Sequence, residues 1–156
     1  MSPLAAGGSL IRIRIESRFE EAALVGMVVN TVCAFLHMNE LDAYQVELCA
    51  VEAVNNVIRH SYHGQAGHPV DVAIRSWPGR LRIDVLDRGS AMPSEELEHE
   101  LDRDYEPTDR NSLPERGLGI PIINAVMDEV RYGSSKDRNR LSLVKLIQST
   151  APPNLE

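Results

Sequence analysis

Glu52, Asn56 and His60 stand four residues apart, a spacing that on a helix stacks a carboxylate, a carboxamide and an imidazole into one ridge, with Asn55 and Arg59 beside it. Their other neighbours are Ala, Val and Ile, so the ridge is narrow and half-buried, and polar groups in that position need partners. Two further sets of residues have chemical potential. Asp87-Arg88-Gly89 ends an alternating run; a carboxylate there could accept a hydrogen bond from an exocyclic amine such as that of adenine, with Gly89 leaving room for the base. Gly117-Leu118-Gly119 precedes an apolar helical run, where backbone N–H groups and the helix dipole could cradle a phosphate. Each set taken alone has a plain alternative: a solvated stripe, a common turn, and a tight helix–strand packing.

The elements that must position these residues follow from hydrophobic periodicity. The ridge lies in residues 45–63, where Val46, Cys49, Ala50, Ala53, Val54, Val57 and Ile58 recur at helical spacing and Gly64 marks the stop. Residues 10–16 alternate Ile11, Ile13 and Ile15 with Arg12, Arg14 and Glu16, as a half-buried strand does, and residues 20–38 predict a helix with acids in its first turn. After a loop at 64–69, Val70/Val72/Ile74 and Leu81/Ile83/Val85, joined by Pro78-Gly79, predict a hairpin. Ile120, Ile123, Val126 and Met127 predict a third helix, and residues 128–134 and 140–148 two closing strands joined by a polar turn at 135–139. The polar alternate positions of the first three strands leave one sheet face wet, so helices cover only the other. The expected class is α/β (α+β): a two-layer sandwich of a mixed, mostly antiparallel sheet of about five strands with three main helices on one face.

With 156 residues, 43% hydrophobic and 25% charged, the chain reads as one soluble domain over residues 10–148, with a flexible lead at 1–9 and a flexible tail at 149–156. A net charge of -7 argues against direct nucleic-acid binding and leaves room for a basic partner protein, or for a nucleotide held with a metal ion. Cys33 and Cys49 lie in apolar helical runs with no secretory signal before them, the pattern of reduced core thiols in a cytoplasmic protein. The most apolar stretch, 22–38, is interrupted by Asn30 and Thr31 and is too short for a membrane span. Residues 88–114 are acidic and poor in apolar side chains; they are either a lid over a ligand or a solvated loop.

The order of these motifs carries more than any one of them. E52-x-x-x-N56 with His60, then D87-x-G89 with Pro93, then a loop, then G117-L-G119 opening a helix, resembles the Bergerat-fold (GHKL) ATPases, the superfamily of the gyrase, histidine-kinase and MutL ATP-binding domains. Over residues 10–147, and in the strings VEAVNNVIRHSY and ERGLGIPIINAVMDEV, the chain looks most like the anti-sigma-factor serine kinases of the RsbW and SpoIIAB type. That resemblance implies ATP and Mg²⁺ as ligands. It implies that Asn56 reaches Mg²⁺ and the phosphates with Asn55 beside it, that Glu52 is the general base, and that Asp87 reads adenine above Gly89. Gly117, Leu118 and Gly119 would form the phosphate loop, Arg116 would contact substrate or phosphate, 88–114 would be the ATP lid, and His60 sits where relatives often carry histidine.

The implied function is that of an anti-sigma factor with serine/threonine kinase activity, homodimeric, holding a sigma factor and phosphorylating an anti-anti-sigma partner of the STAS type. The wet face of the first strand, with Arg12 and Arg14, is one place for the dimer contact. The alternative is a partner-switching protein that binds without catalysis, its nucleotide pocket a sensor or a relic. Two departures bear on the choice. Ala91 stands where relatives mostly have Gly, and Asn139-Arg140 where they often have Gly-Thr, so the adenine pocket is expected to differ.

Overall fold

The computed structural model describes residues 7–92 and 119–148. β1 (Ser9–Glu16) leads into two helices, α1 (Phe19–Phe35) and α2 (Glu40–Asn56), the latter extended by a single π-helical turn over Val57–Ser61. β2 (Pro69–Trp77) and β3 (Arg80–Asp87) follow, then α3 (Gly119–Val126), β4 (Glu129–Ser135) and β5 (Arg138–Leu146). The five strands form one sheet in the order β1-β2-β3-β5-β4. Every ladder is antiparallel, with no parallel pair among the described strands.

Alternation decides which side chains the helices cover. Ile13 and Ile15 of β1, Val70, Val72 and Ile74 of β2, Leu81, Ile83 and Val85 of β3, and Leu141 and Leu143 of β5 all point to the helical layer, where they meet Val25, Val29, Val46, Val54, Ile58 and Ile123. Each such side chain, fully buried, contributes about 1.5–3 kcal/mol against leaving it in water. α1 and α2 approach closely at Gly26, where a Cβ would lie 2.6 Å from Cγ2 of Val51. Cys33 and Cys49 are free and buried, and burial pushes their thiols up to about 11 and about 12, which makes them inert packing groups.

Several element boundaries differ from the sequence expectation, and at the α1–α2 junction the local reasons are visible. α1 stops at Phe35 and not at 38, because His37 adopts a left-handed φ of 58° and the Met38 N–H turns back to the Cys33 carbonyl at 3.0 Å. α2 then starts at Glu40, ahead of 45, because Asn39 caps it by accepting the Asp42 N–H at 2.8 Å. β5 begins at Arg138, so Asn139 and Arg140 belong to a strand and not to the expected 135–139 turn.

The opposite face of the sheet is polar. Asp84, only 1% exposed, sits in it as the shared partner of Arg75 (3.2 Å), Arg82 (3.0 Å) and the Ser142 hydroxyl (2.5 Å). Arg14 of β1 holds Asp71 of β2 through two parallel bonds of 2.7 and 3.0 Å. No described helix is long and apolar enough to cross a membrane.

Candidate functional site

The expectation of one α-helix through 45–63 fails in its last turn, and the failure shapes the site. From Val57 to Ser61 the helix widens to π geometry: the Tyr62 N–H reaches the Val57 carbonyl at 3.2 Å, and the Gly64 N–H reaches Ile58 at 2.8 Å. His63 and Gly64 then leave with φ of 54° and 76°. The extra residue turns the Ser61 carbonyl and the Tyr62 ring toward the segment that follows β3. The Ser61 carbonyl accepts the Ser90 N–H at 2.9 Å, and the Tyr62 hydroxyl accepts the Arg88 N–H at 2.9 Å while donating to the Pro69 carbonyl at 2.7 Å. The helix that carries Glu52 and Asn56 is thereby fastened to the strand end that carries Asp87.

Asp87 is the last residue of β3 and 3% exposed. Its Oδ1 accepts the Gly89 N–H at 2.9 Å and the Nδ2 of Asn139, opposite it on β5, at 2.8 Å. Burial pushes the Asp87 carboxyl above the ordinary range, while the bonds from Asn139, Gly89 and Ser61 pull it back down. Gly89 is required by the protein itself: a Cβ there would lie 2.3 Å from the Ser61 carbonyl oxygen. The need for a glycine thus arises from the π turn, whatever room it also leaves for a base. Asn139 donates as well to the Gly89 carbonyl at 3.0 Å and accepts the Ser134 hydroxyl at 2.8 Å, and the Tyr132 hydroxyl accepts the Met92 N–H at 2.8 Å. Residues 87–92 are therefore anchored from α2 on one side and from β4 and β5 on the other.

On α2, Asn56 is 3% exposed and its Nδ2 has no hydrogen-bond partner among the described residues; nor does the buried Oδ1 of neighbouring Asn55. A buried donor without a partner costs about 1–3 kcal/mol, and a phosphate oxygen would satisfy it. Glu52 lies half-buried one turn before Asn56, and His60 lies half-buried inside the π turn, off the straight ridge that a continuous α-helix would have given it. α3 packs on the same helix, Cys49 Sγ lying 4.0 Å from the Ile122 carbonyl, and Gly119 is its first residue. Arg116, Gly117 and Leu118 lie outside the described residues, as do Pro93 and the 93–114 portion of the expected lid.

The donor set fits a nucleotide better than a resident metal. Among the described residues no group of three or more His, Cys, Asp and Glu side chains could hold a metal ion. A carboxamide such as Asn56 offers one hard oxygen, which suits a Mg²⁺ ion that takes its remaining ligands from phosphates and water.

Residue spacing did not single out Asn139, Ser61, Tyr62 or Tyr132. For Asn139 there was a usable signal: 139, 141 and 143 share a parity, so a strand begun two residues earlier places Asn139 on the core face beside Asp87. Arg140, its neighbour, falls on the opposite face. The two residues of that departure therefore have unrelated surroundings.

Residues 15–145 match the family described as Histidine kinase-like ATPase domain. Among named proteins, the chain is 25% identical over 123 residues to the Serine-protein kinase RsbW of Bacillus pumilus (strain SAFR-032), covering 78% of this chain and 76% of that one. It is 25% identical over 126 residues to the protein of the same name from Bacillus velezensis (80% and 78% covered), and 26% identical over 125 residues to that of Bacillus cereus strain ATCC 10987 (78% and 75%). The match spans every described element from the end of β1 to β5, including the Asp87 corner and the unpartnered Asn56 amide. This chain belongs to the histidine kinase-like ATPase domain family.

Proposed function

We propose that this chain is a cytoplasmic anti-sigma factor that phosphorylates a serine or threonine of an anti-anti-sigma partner with ATP, acting as a homodimer. The observation that carries the reading is the unpartnered, buried amide of Asn56 one turn from Glu52, in a chain similar along most of its length to proteins named serine-protein kinase. Nucleotide phosphate would satisfy the Asn56 donor, and Asp87 would accept from the base. Bound Mg²⁺, with Asn56 Oδ1 as one ligand, would supply charge neutralisation for the phosphates. Glu52 would take the proton of the partner's hydroxyl as that oxygen bonds to the γ-phosphorus and the bond to the β-phosphate oxygen breaks, leaving ADP. Arg116, Gly117, Leu118 and Gly119 would contribute further phosphate contacts.

The test uses the partner captured from cell extract with and without ATP, then radiolabelled ATP with the purified pair. Glu52→Gln is expected to bind ATP and transfer no label, and Asn56→Ala to lose both. Label transfer retained in both variants would sink the assignment of these residues.

One observation favours the second reading, a partner switch without catalysis. Asn139 already occupies Oδ1 of Asp87, so a base can address only the other carboxylate oxygen. Titration calorimetry separates the two: absence of binding at millimolar ATP with Mg²⁺ supports the relic.

A further inference from the structure

Strand alternation gathers arginines on the sheet face that the helices leave open. Arg12 and Arg14 of β1, Arg75 of β2, Arg82 of β3, and Arg138 and Arg140 of β5 all fall there: Arg12 stands opposite Ala73, Arg14 opposite Asp71, Arg75 opposite Arg82, Arg82 opposite Val144, Arg140 opposite Leu86 and Arg138 opposite Ser135. A cleft of about 430 Å³ on this face is lined by five of these arginines against two aspartates, Asp71 and Asp84. The chain as a whole carries -7, so this face runs against the net charge.

Both aspartates are already engaged. Asp71 is held by Arg14, and Asp84 by Arg75, Arg82 and Ser142. Arg12, Arg138 and Arg140 line the same cleft with no carboxylate partner among the described residues. Every cation lining it is a guanidinium, the group whose planar fork fits a carboxylate through two parallel bonds, as Arg14 does with Asp71 here.

We propose that this open sheet face is a docking surface for an acidic segment of a partner protein, whose carboxylates pair with Arg12, Arg138 and Arg140. Charge selects the occupant. A second copy stacked on this face would set arginine against arginine, which disfavours the homodimer contact that Arg12 and Arg14 suggested. A nucleic acid would meet no aromatic side chain in the cleft on which to stack a base, and would approach a chain of -7. The surface is independent of the nucleotide site: Asn139 faces Asp87 on the core side, and Arg140 next to it faces the cleft.

The experiment uses the full chain and fluorescein-labelled hexaglutamate, read by anisotropy at low and raised salt. Binding is expected for hexaglutamate and absent for hexaglutamine, and it weakens with salt. In the triple variant Arg12→Ala/Arg138→Ala/Arg140→Ala, affinity falls by about tenfold or more with an unchanged thermal midpoint, whereas Arg59→Ala, outside the face, binds as the parent does. Amide chemical shifts that move on β1, β2, β3 and β5 place the peptide on the sheet. Four results overturn the proposal: no hexaglutamate binding, equal binding by the triple variant, tighter binding of an oligothymidylate of equal charge, or conversion of a dimer to a monomer by the triple substitution in light scattering.

Discussion

Asn139 and Asp87 face each other across the β3–β5 ladder, and the Asn139 amide donates to Oδ1 of Asp87 at 2.8 Å. The bond holds a carboxylate that is almost wholly buried and carries no cationic partner among its described hydrogen bonds. A buried carboxylate without a cationic partner costs stability.

Burial raises the Asp87 carboxyl in the folded chain above its unfolded value. The sign follows: the protonated form is the one the fold favours, so its contribution is intact in acid and is lost as pH rises through the raised folded value. At neutral pH the charge on Asp87 therefore opposes folding. Asp87→Asn keeps an Oδ1 for the Gly89 and Asn139 donors and removes the charge. Its thermal midpoint at neutral pH should rise by roughly 2–4 °C, the shift that about 1 kcal/mol gives in a chain of this size, and the gain should vanish below the ordinary carboxylate range. Calorimetry across pH reads this directly, and ATP binding in the same variant should fall.

Gly89 and Ser61 are in contact through the π turn. Gly89→Ala places a methyl against a backbone carbonyl that cannot rotate aside, and overpacking of that kind costs about 1–3 kcal/mol. Urea denaturation should show the loss. Ser61→Gly would remove only the Cβ at 2.8 Å and leave the carbonyl oxygen at 2.3 Å, so a Ser61→Gly/Gly89→Ala double variant should be no more stable than Gly89→Ala.

Much of this was legible in the residues. Ile11, Ile13 and Ile15, the 70–74 and 81–85 alternations, and the apolar positions of α2 fix the strands, the covered face and the layer order, because burial on one face imposes a two-residue or a 3.6-residue period. The π turn was not legible. Val57-Ile58-Arg59-His60-Ser61 has no breaker, and what widens it is tertiary: the Ser61 carbonyl and Tyr62 hydroxyl gain bonds to residues 88 and 90. Nor was the placement of Asn139, since the polar run Ser135-Lys136-Asp137-Arg138-Asn139 reads as a turn throughout, while the ladder closes it to Lys136-Asp137. The motif spacing offered Asp87 and Asn56 as candidates. It left unstated what holds each of them.

Asn56 offers a test that distinguishes binding from folding. Its Nδ2 is buried without a partner among the described residues, so Asn56→Ala removes an unsatisfied donor along with some packing, and the two effects oppose each other. Stability without ligand should change by no more than about 1 kcal/mol. In the parent, ATP with Mg²⁺ at about a hundredfold its Kd should add about 2.7 kcal/mol; in the variant that shift should disappear. Thermal denaturation with and without nucleotide gives both numbers from one preparation.

On the far face, Arg75 and Arg82 are direct cross-strand partners, an arrangement that like charges would make unfavourable. Asp84 lies against both and reconciles them, with Ser142 completing its contacts. Asp84→Ala removes the shared anion and leaves two guanidiniums opposite each other. A fully buried pair broken this way loses about 3–5 kcal/mol; both arginine side chains here are 29% exposed, and water moderates the cost to roughly 1–3 kcal/mol. Because the residual repulsion lies in a half-open face, added salt should recover part of the loss in the variant while leaving the parent almost unchanged. Urea denaturation at two salt concentrations checks this, and a loss that ignores salt would mean that Asp84 acts through packing and its bond to Ser142, not through charge.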